Sequence, residues 1–186
     1  MSTGYKIIEK EGLYFLTFQI VGWVDIFTRK QYRDVVIESF KYSQLHKGLR
    51  LYAYVIMSNH IHLLTQRENG NLSSWIRDFK NHTSRKFFEI IDGQGESRRE
   101  WMNIVFEYYG KFKKGQNKQI WTHENHAEHI YSQKFIEQKL NYIHSNPIRN
   151  GMVEKAEDYL YSSARNYAEM GSIINVERLD VIWKTY

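Results

Sequence analysis

The hydrophobic pattern alternates between strand-like runs and helix-like stripes. Leu13 to Val21 is a β-rich apolar run and reads as a buried strand. The period then changes: Tyr32, Val35, Val36 and Phe40 share one helical face, Thr28 with Gln31 makes a capping-box start, and Gly48 is a stop. Leu51 to Met57 and His60 to Thr65 read as two strands joined at Ser58-Asn59, a hairpin. After Asn69-Gly70, the positions Leu72, Trp75, Ile76, Phe79, Thr83 and Phe87 predict a second helix, broken at Asp92-Gly93-Gln94-Gly95. Arg98 to Phe112 reads as a third, with Trp101, Ile104, Val105 and Tyr108 as its stripe. Residues 110–118 read as a loop, and a short strand is expected within Gln119 to Ile130. Ser132 caps a last major helix that runs to about Asn146, where Pro147 stops it. One or two minor helices are expected in the tail from Gly151.

The order is β-α-β-β-α-(α)-β-α. It predicts an α+β protein: a ferredoxin-like split βαβ antiparallel sheet with helices on one face. No repeat or low-complexity linker divides the chain. Residues 1–186 are therefore expected to form one domain, with a core at about 5–150, an insertion at about 93–118 and a tail at 151–186. That sheet hosts many unrelated activities, so function must come from the residues on it.

Composition narrows the chemistry. The chain has no cysteine, which excludes a disulfide scaffold, a thiol nucleophile, an iron–sulfur centre and a thiolate zinc site. The longest apolar run, Leu51 to Met57, is far short of a membrane span, and no signal core precedes it. A soluble, cytoplasmic protein without a membrane partner is expected. The net charge of +5 is uneven: residues 72–118 hold ten Lys/Arg against six Asp/Glu. Lys111, Lys113, Lys114 and Lys118 follow one another with no acid between them, which reads as a polyanion contact or as a solvated loop.

Two stretches carry candidate chemistry. Strand side chains alternate faces, so His60 and His62 project together while Ile61 and Leu63 anchor the opposite face. Two imidazoles so placed can share one metal ion, or can be ordinary polar residues on a half-exposed strand. On the last helix Tyr142 and Asn146 are four residues apart and share a face, which presents a phenol beside an amide oxygen. The plainer alternative is a helix-capping Asn and one more among 14 tyrosines. His123, His126 and His129, with Glu124 and Glu128, form a rival His-rich cluster, although a three-residue spacing would split them between strand faces. Trp75 and Trp101 fall on apolar stripes and read as core.

Taken together, the His60-Ile61-His62 strand and Tyr142-Ile143-His144-x-Asn146-Pro147-x-Arg149-x-Gly151, about eighty residues later, resemble the single-tyrosine HUH transposases. More narrowly they resemble the REP-associated tyrosine transposase branch of the insertion-sequence transposase-like family. Tyr14-Phe15-Leu16-Thr17-Phe18 is similar to that family's opening strand. Ile120-Trp121 is similar to its lead into the fourth strand, and Tyr161-Ser162-Ser163-Ala164 to its tail. Ser58 stands where the family commonly has Pro, and the 98–118 insertion is longer than in compact relatives.

The resemblance implies an HUH endonuclease fold with a C-terminal helix bearing the catalytic tyrosine. It implies an enzyme that nicks and rejoins single-stranded DNA beside a hairpin in DNA transposition and recombination. Tyr142 would be the nucleophile, forming a 5′-phosphotyrosine and freeing a 3′-OH. His60, His62 and Asn146 would be ligands for Mg²⁺ or Mn²⁺. Apart from the resemblance, the charge run Lys111, Lys113, Lys114 and Lys118 is expected either to bind DNA phosphates or to be a mobile loop; a nucleoid-associated place in the cytoplasm and a possible homodimer are also expected. A tyrosine phenol is a weak nucleophile at neutral pH, and a nearby divalent ion that polarises the phosphate answers that weakness. A covalent phosphotyrosine keeps the bond energy, so strand joining needs no ATP. The rivals are a rolling-circle replication initiator, a domesticated DNA-binding module without cutting, and an RNA-binding ferredoxin-like domain. The first usually carries Lys three residues after its tyrosine, where Ser145 stands here. The third should show aromatics on the sheet face that here carries histidines.

Overall fold

The computed structural model describes residues 7, 9–68, 70–112 and 117–181. Four strands form one antiparallel sheet: β1 (Tyr14–Gln19), β2 (Leu49–Ile56), β3 (His60–Arg67) and β4 (Glu128–His129). Their order is β2-β3-β1-β4, the ferredoxin-like arrangement expected from the sequence. The register sets Thr17 opposite His62 and Gln19 opposite His60.

The alternation of side chains assigns each face. Leu16, Phe18, Leu51, Tyr54, Ile61 and Leu63 enter a large core, which α1 (Lys30–His46) and α2 (Leu72–Asp92) cover. Phe15, Ala53, Val55 and Leu64 face the other way and meet Leu140 and Ile143 of α4 (Gln133–Arg149). Two helices thus cover one face, and the tyrosine-bearing helix is added on the other, directly over β2 and β3. Among the described residues no helix is long and apolar enough to cross a membrane.

The α2 stripe is buried at all six expected positions, and Asn71 caps that helix by accepting from the Ser73 amide. Asn69 of the expected Asn69-Gly70 turn lies outside the described residues. Other expectations need correction. Thr28 does not cap α1; its hydroxyl donates to the Asp25 carbonyl inside a separate short turn, and Arg29 precedes the helix without a side-chain cap. In α3 (Arg99–Gly110) the buried residues are Met102 and Phe106, whereas Trp101, Ile104 and Tyr108 are exposed. Both faces of α3 carry apolar residues, and periodicity alone could not choose between them. Pro147 does not end α4, which continues to Arg149. Proline removes one amide donor, but Asn150 closes the turn by donating to the Asn146 carbonyl from its backbone (3.1 Å) and its side chain (2.9 Å).

The tail, with α5 (Ala164–Tyr167), ties α4 to the sheet. Ser163 Oγ accepts from the Tyr54 amide at 2.9 Å and lies 2.8 Å from His144 Nε2. The Ser-Ser-Ala stretch therefore fixes the tyrosine-bearing helix against β2.

Candidate active site

A cleft of about 500 Å³ opens between α4 and the sheet face that carries the histidines. It is lined by His60, His62, Tyr142 and Asn146, so the structure brings together the four residues singled out for chemistry. The His60 and His62 rings lie 4.7 Å apart by centroid, and the Tyr142 ring meets His62 edge-on at 5.1 Å. Tyr142 keeps 37% of its surface, enough to meet a ligand from outside, while Asn146 is buried.

Hydrogen bonds fix the imidazoles. Asn59 Nδ2 donates to the Trp23 carbonyl at 3.3 Å, which turns Asn59 Oδ1 toward His60 Nδ1 at 2.7 Å. An amide oxygen can only accept, so His60 Nδ1 carries the proton and Nε2 keeps its lone pair. His62 Nδ1 lies 2.9 Å from Thr17 Oγ1. Its Nε2 is buried and has no hydrogen-bond partner among the described residues. A buried polar atom left so is costly and asks for a ligand. Burial pushes the His62 pKa down to about 3, helped by the charges of His60, Lys139 and Arg149, and burial also lowers that of His60. Both rings are therefore neutral at physiological pH, the form that binds metal. Asn150 Nδ2 donates to Asn146 Oδ1 at 2.9 Å, which orients that amide and leaves its oxygen a second lone pair. Two imidazole nitrogens and one amide oxygen fit a divalent ion while leaving coordination positions for other oxygens.

Three further residues shape the cleft. Arg149 holds its guanidinium 4.5 Å from the centre of the Tyr142 ring. It lies seven residues after Tyr142 on the same helix face, a spacing visible in the sequence. Trp23 lines the mouth, is 67% exposed and has a left-handed backbone, φ 57. Thr17 orients His62 across the β1–β3 pair. Trp23 and Asn59 leave no sequence signal, because their contact joins segments 36 residues apart.

The remaining candidates lie elsewhere. Among the described residues no group of three His, Asp or Glu is placed to hold a metal. His126 lies 3.6 Å from Glu124, and His129 packs on the Tyr14 ring. Lys111 is exposed, and Lys113 and Lys114 lie outside the described residues. Lys118 bonds Asn103 at 2.9 Å, with Asp92 and Glu107 within 4 Å.

A ferredoxin-like sheet with a His-x-His strand beneath a tyrosine-bearing helix is the arrangement that the sequence resemblance implied. Comparison with known proteins finds similar chains. A family model described as IS200-like transposase matches residues 23–107. A Haemophilus influenzae protein, provisionally described as a REP-associated tyrosine transposase, is 25% identical over 168 residues, which cover 88% of this chain and 85% of that protein. A REP-associated tyrosine transposase solved bound to a REP hairpin shares the fold, with a TM-score of 0.61 and 18% identity over 99% of this chain and 100% of that one. The chain is thus similar in sequence to transposases over part of its length and shares its fold with a solved REP-associated tyrosine transposase.

Proposed function

We propose that the chain nicks and rejoins single-stranded DNA beside a hairpin, with Tyr142 as the nucleophile. The observation that carries this reading is His62 Nε2, a buried imidazole nitrogen without a partner among the described residues, in the same cleft as an accessible phenol. The solved structure of a REP-associated tyrosine transposase bound to a REP hairpin, which shares this fold, supports a hairpin DNA partner.

In the proposed step Tyr142 Oη bonds to the phosphorus as the bond from phosphorus to the 3′ oxygen breaks. The phenolic proton is lost to solvent, and the departing 3′ oxygen gains one. The product is a 5′-phosphotyrosine and a free 3′-OH, and attack by a 3′-OH reverses the step without an outside energy source. Arg149, stacked on the Tyr142 ring, gives the phosphate a cationic neighbour. Trp23 offers an exposed ring on which a base beside the cut can stack. His60, His62 and Asn146 would hold Mg²⁺ or Mn²⁺, a softer donor set than an all-oxygen site. Such an ion, when bound, supplies positive charge that polarises the scissile phosphate and stabilises the charge that builds on it.

Cutting of hairpin-flanked single-stranded DNA tests the reading. Wild type should cut with Mn²⁺ and stop in chelator, and His62→Ala should cut at least a hundredfold more slowly, on the order of the loss expected when a metal ligand's support is removed. Equal cutting with chelator, or by His62→Ala, would remove the metal from the account.

A further inference from the structure

A second cleft, of about 560 Å³, lies on the opposite face of the sheet, between α2 and the segment 118–125. The α2 side presents Arg77, Lys80, Asn81, Ser84 and Arg85, which follow the helical repeat along one face. This face is separate from the buried stripe, and all five side chains are cationic or hydrogen-bonding. Lys80 is the innermost. Its ammonium donates to the Thr122 carbonyl at 2.8 Å and sits 5.1 Å from the centre of the Phe18 ring. Among the described residues no carboxylate pairs with it, and burial lowers its pKa to about 7. Among the described residues Arg77 pairs only with its exposed neighbour Asp78. Lys80 is therefore only partly charged at neutral pH, and an anion in the cleft, with Arg77 and Arg85 at the rim, would hold it in the charged form.

The two clefts share one wall. The Thr122 amide donates to the Gln19 carbonyl at 2.8 Å, and the Thr17 amide to the Asn125 carbonyl at 2.9 Å. Thr17 and Gln19 line the catalytic cleft, while Thr122 and Asn125 line the second. The wall is thus the sheet edge itself, and a strand that leaves the catalytic cleft over it meets Lys80 on the far side.

We infer that the α2 cleft is a second phosphate site, which grips the backbone of the substrate DNA beyond the catalytic cleft, with Lys80 as its inner donor and Arg77 and Arg85 as its outer ones. This inference rests on the DNA reading above. It adds a fixed contact on one flank of the cut, so that α2 sets where along the strand the scissile phosphate falls. A phosphodiester suits the site because its oxygens can accept from Lys80, Asn81 and Ser84 at once.

The test uses Tyr142→Phe protein, which keeps the cleft and cannot form the covalent link. Its binding is measured on a short single strand that fills only the catalytic cleft, on that strand extended at either end, and on the strand joined to a hairpin. The extension or the hairpin should raise affinity, and the arm that does so identifies the part of the DNA that enters the α2 cleft. Lys80→Met should erase that gain several-fold, leave the short strand unaffected, and lower the salt slope of the longer DNA by about one. Lys80→Met also loses the Thr122 contact, so Arg77→Ala/Arg85→Ala serves as the second variant: both side chains are exposed, and the same loss is expected without a change in thermal stability. A gain that survives both variants, or a loss confined to a destabilised Lys80→Met, overturns the site. Binding of the short strand with no gain from any longer DNA overturns it while leaving the catalytic reading intact. Failure to bind any DNA overturns both.

Discussion

Trp23 holds a backbone conformation that a side-chain-bearing residue seldom adopts, φ 57, directly after Gly22 at φ 62. At Gly22 the geometry is obligatory, because a Cβ there would approach Val105 Cγ1 to 2.9 Å. At Trp23 it is a strain of about 1 kcal/mol, kept at the mouth of the cleft with most of the ring in solvent. Strain kept at an exposed aromatic beside the candidate catalytic groups is consistent with the proposed stacking role of its ring. Trp23→Gly should therefore raise stability by up to about 1 kcal/mol as the strain is relieved. It should also weaken single-stranded DNA binding by about 1–3 kcal/mol, the loss of one base stack. Urea unfolding and fluorescence anisotropy read the two effects, and unchanged DNA affinity would remove Trp23 from the site. The sequence made the His60 and His62 pair legible because strand alternation is local. Trp23, Thr17 and Asn59 were not legible, because their places depend on how distant segments cross.

The insertion is fastened to the body by one buried carboxylate. Glu96 accepts from Tyr32 Oη at 2.7 Å and from Arg98 Nε at 3.1 Å, with Arg29 at 3.3 Å. Burial works to raise its pKa, but the bonds from Arg98 and Tyr32 outweigh it and hold the pKa below 4.5. A carboxyl whose pKa is depressed on folding stabilises above its unfolded pKa and loses that contribution as pH falls through the folded value. Glu96→Gln should cost about 1–2 kcal/mol at pH 7, because it takes the charge out of the bonds to Arg98 and Arg29, although Arg98 keeps Asp25 and Arg29 keeps Gly95 and Ser97 as partners. The gap to wild type should shrink on acidification below pH 4.5. Urea unfolding at neutral and acid pH measures it, and a gap independent of pH would contradict the assignment. Elements differed in how plainly the sequence announced them. α2 was legible because it lies over the core with one polar and one apolar face. α3 was not, since Trp101, Ile104 and Tyr108 form as good a stripe as the buried Met102 and Phe106. The extension of α4 past Pro147 turned on Asn150, a side-chain contact that no periodicity reports.

In the whole molecule, a sheet edge one strand wide divides the candidate catalytic cleft, with its histidines and tyrosine, from a cationic cleft on α2. Part of the charge surplus within residues 72–118 therefore acquires a place. Lys80, Arg77 and Arg85 line the α2 cleft, while Lys118 of the loop is turned toward Asp92 and Glu107. The tail closes the assembly, since His144 and Ser163 hold α4 where Tyr142 reaches over His62. The central claim is that Tyr142 forms the covalent bond to DNA. It is tested most directly by incubating the protein with hairpin-flanked single-stranded DNA and Mn²⁺, digesting both polymers, and sequencing the modified peptide by mass spectrometry. The account predicts a nucleotide joined through its 5′ phosphate to Tyr142, and no adduct from Tyr142→Phe. An adduct on another residue, or strands cut with no covalent protein link, would contradict it.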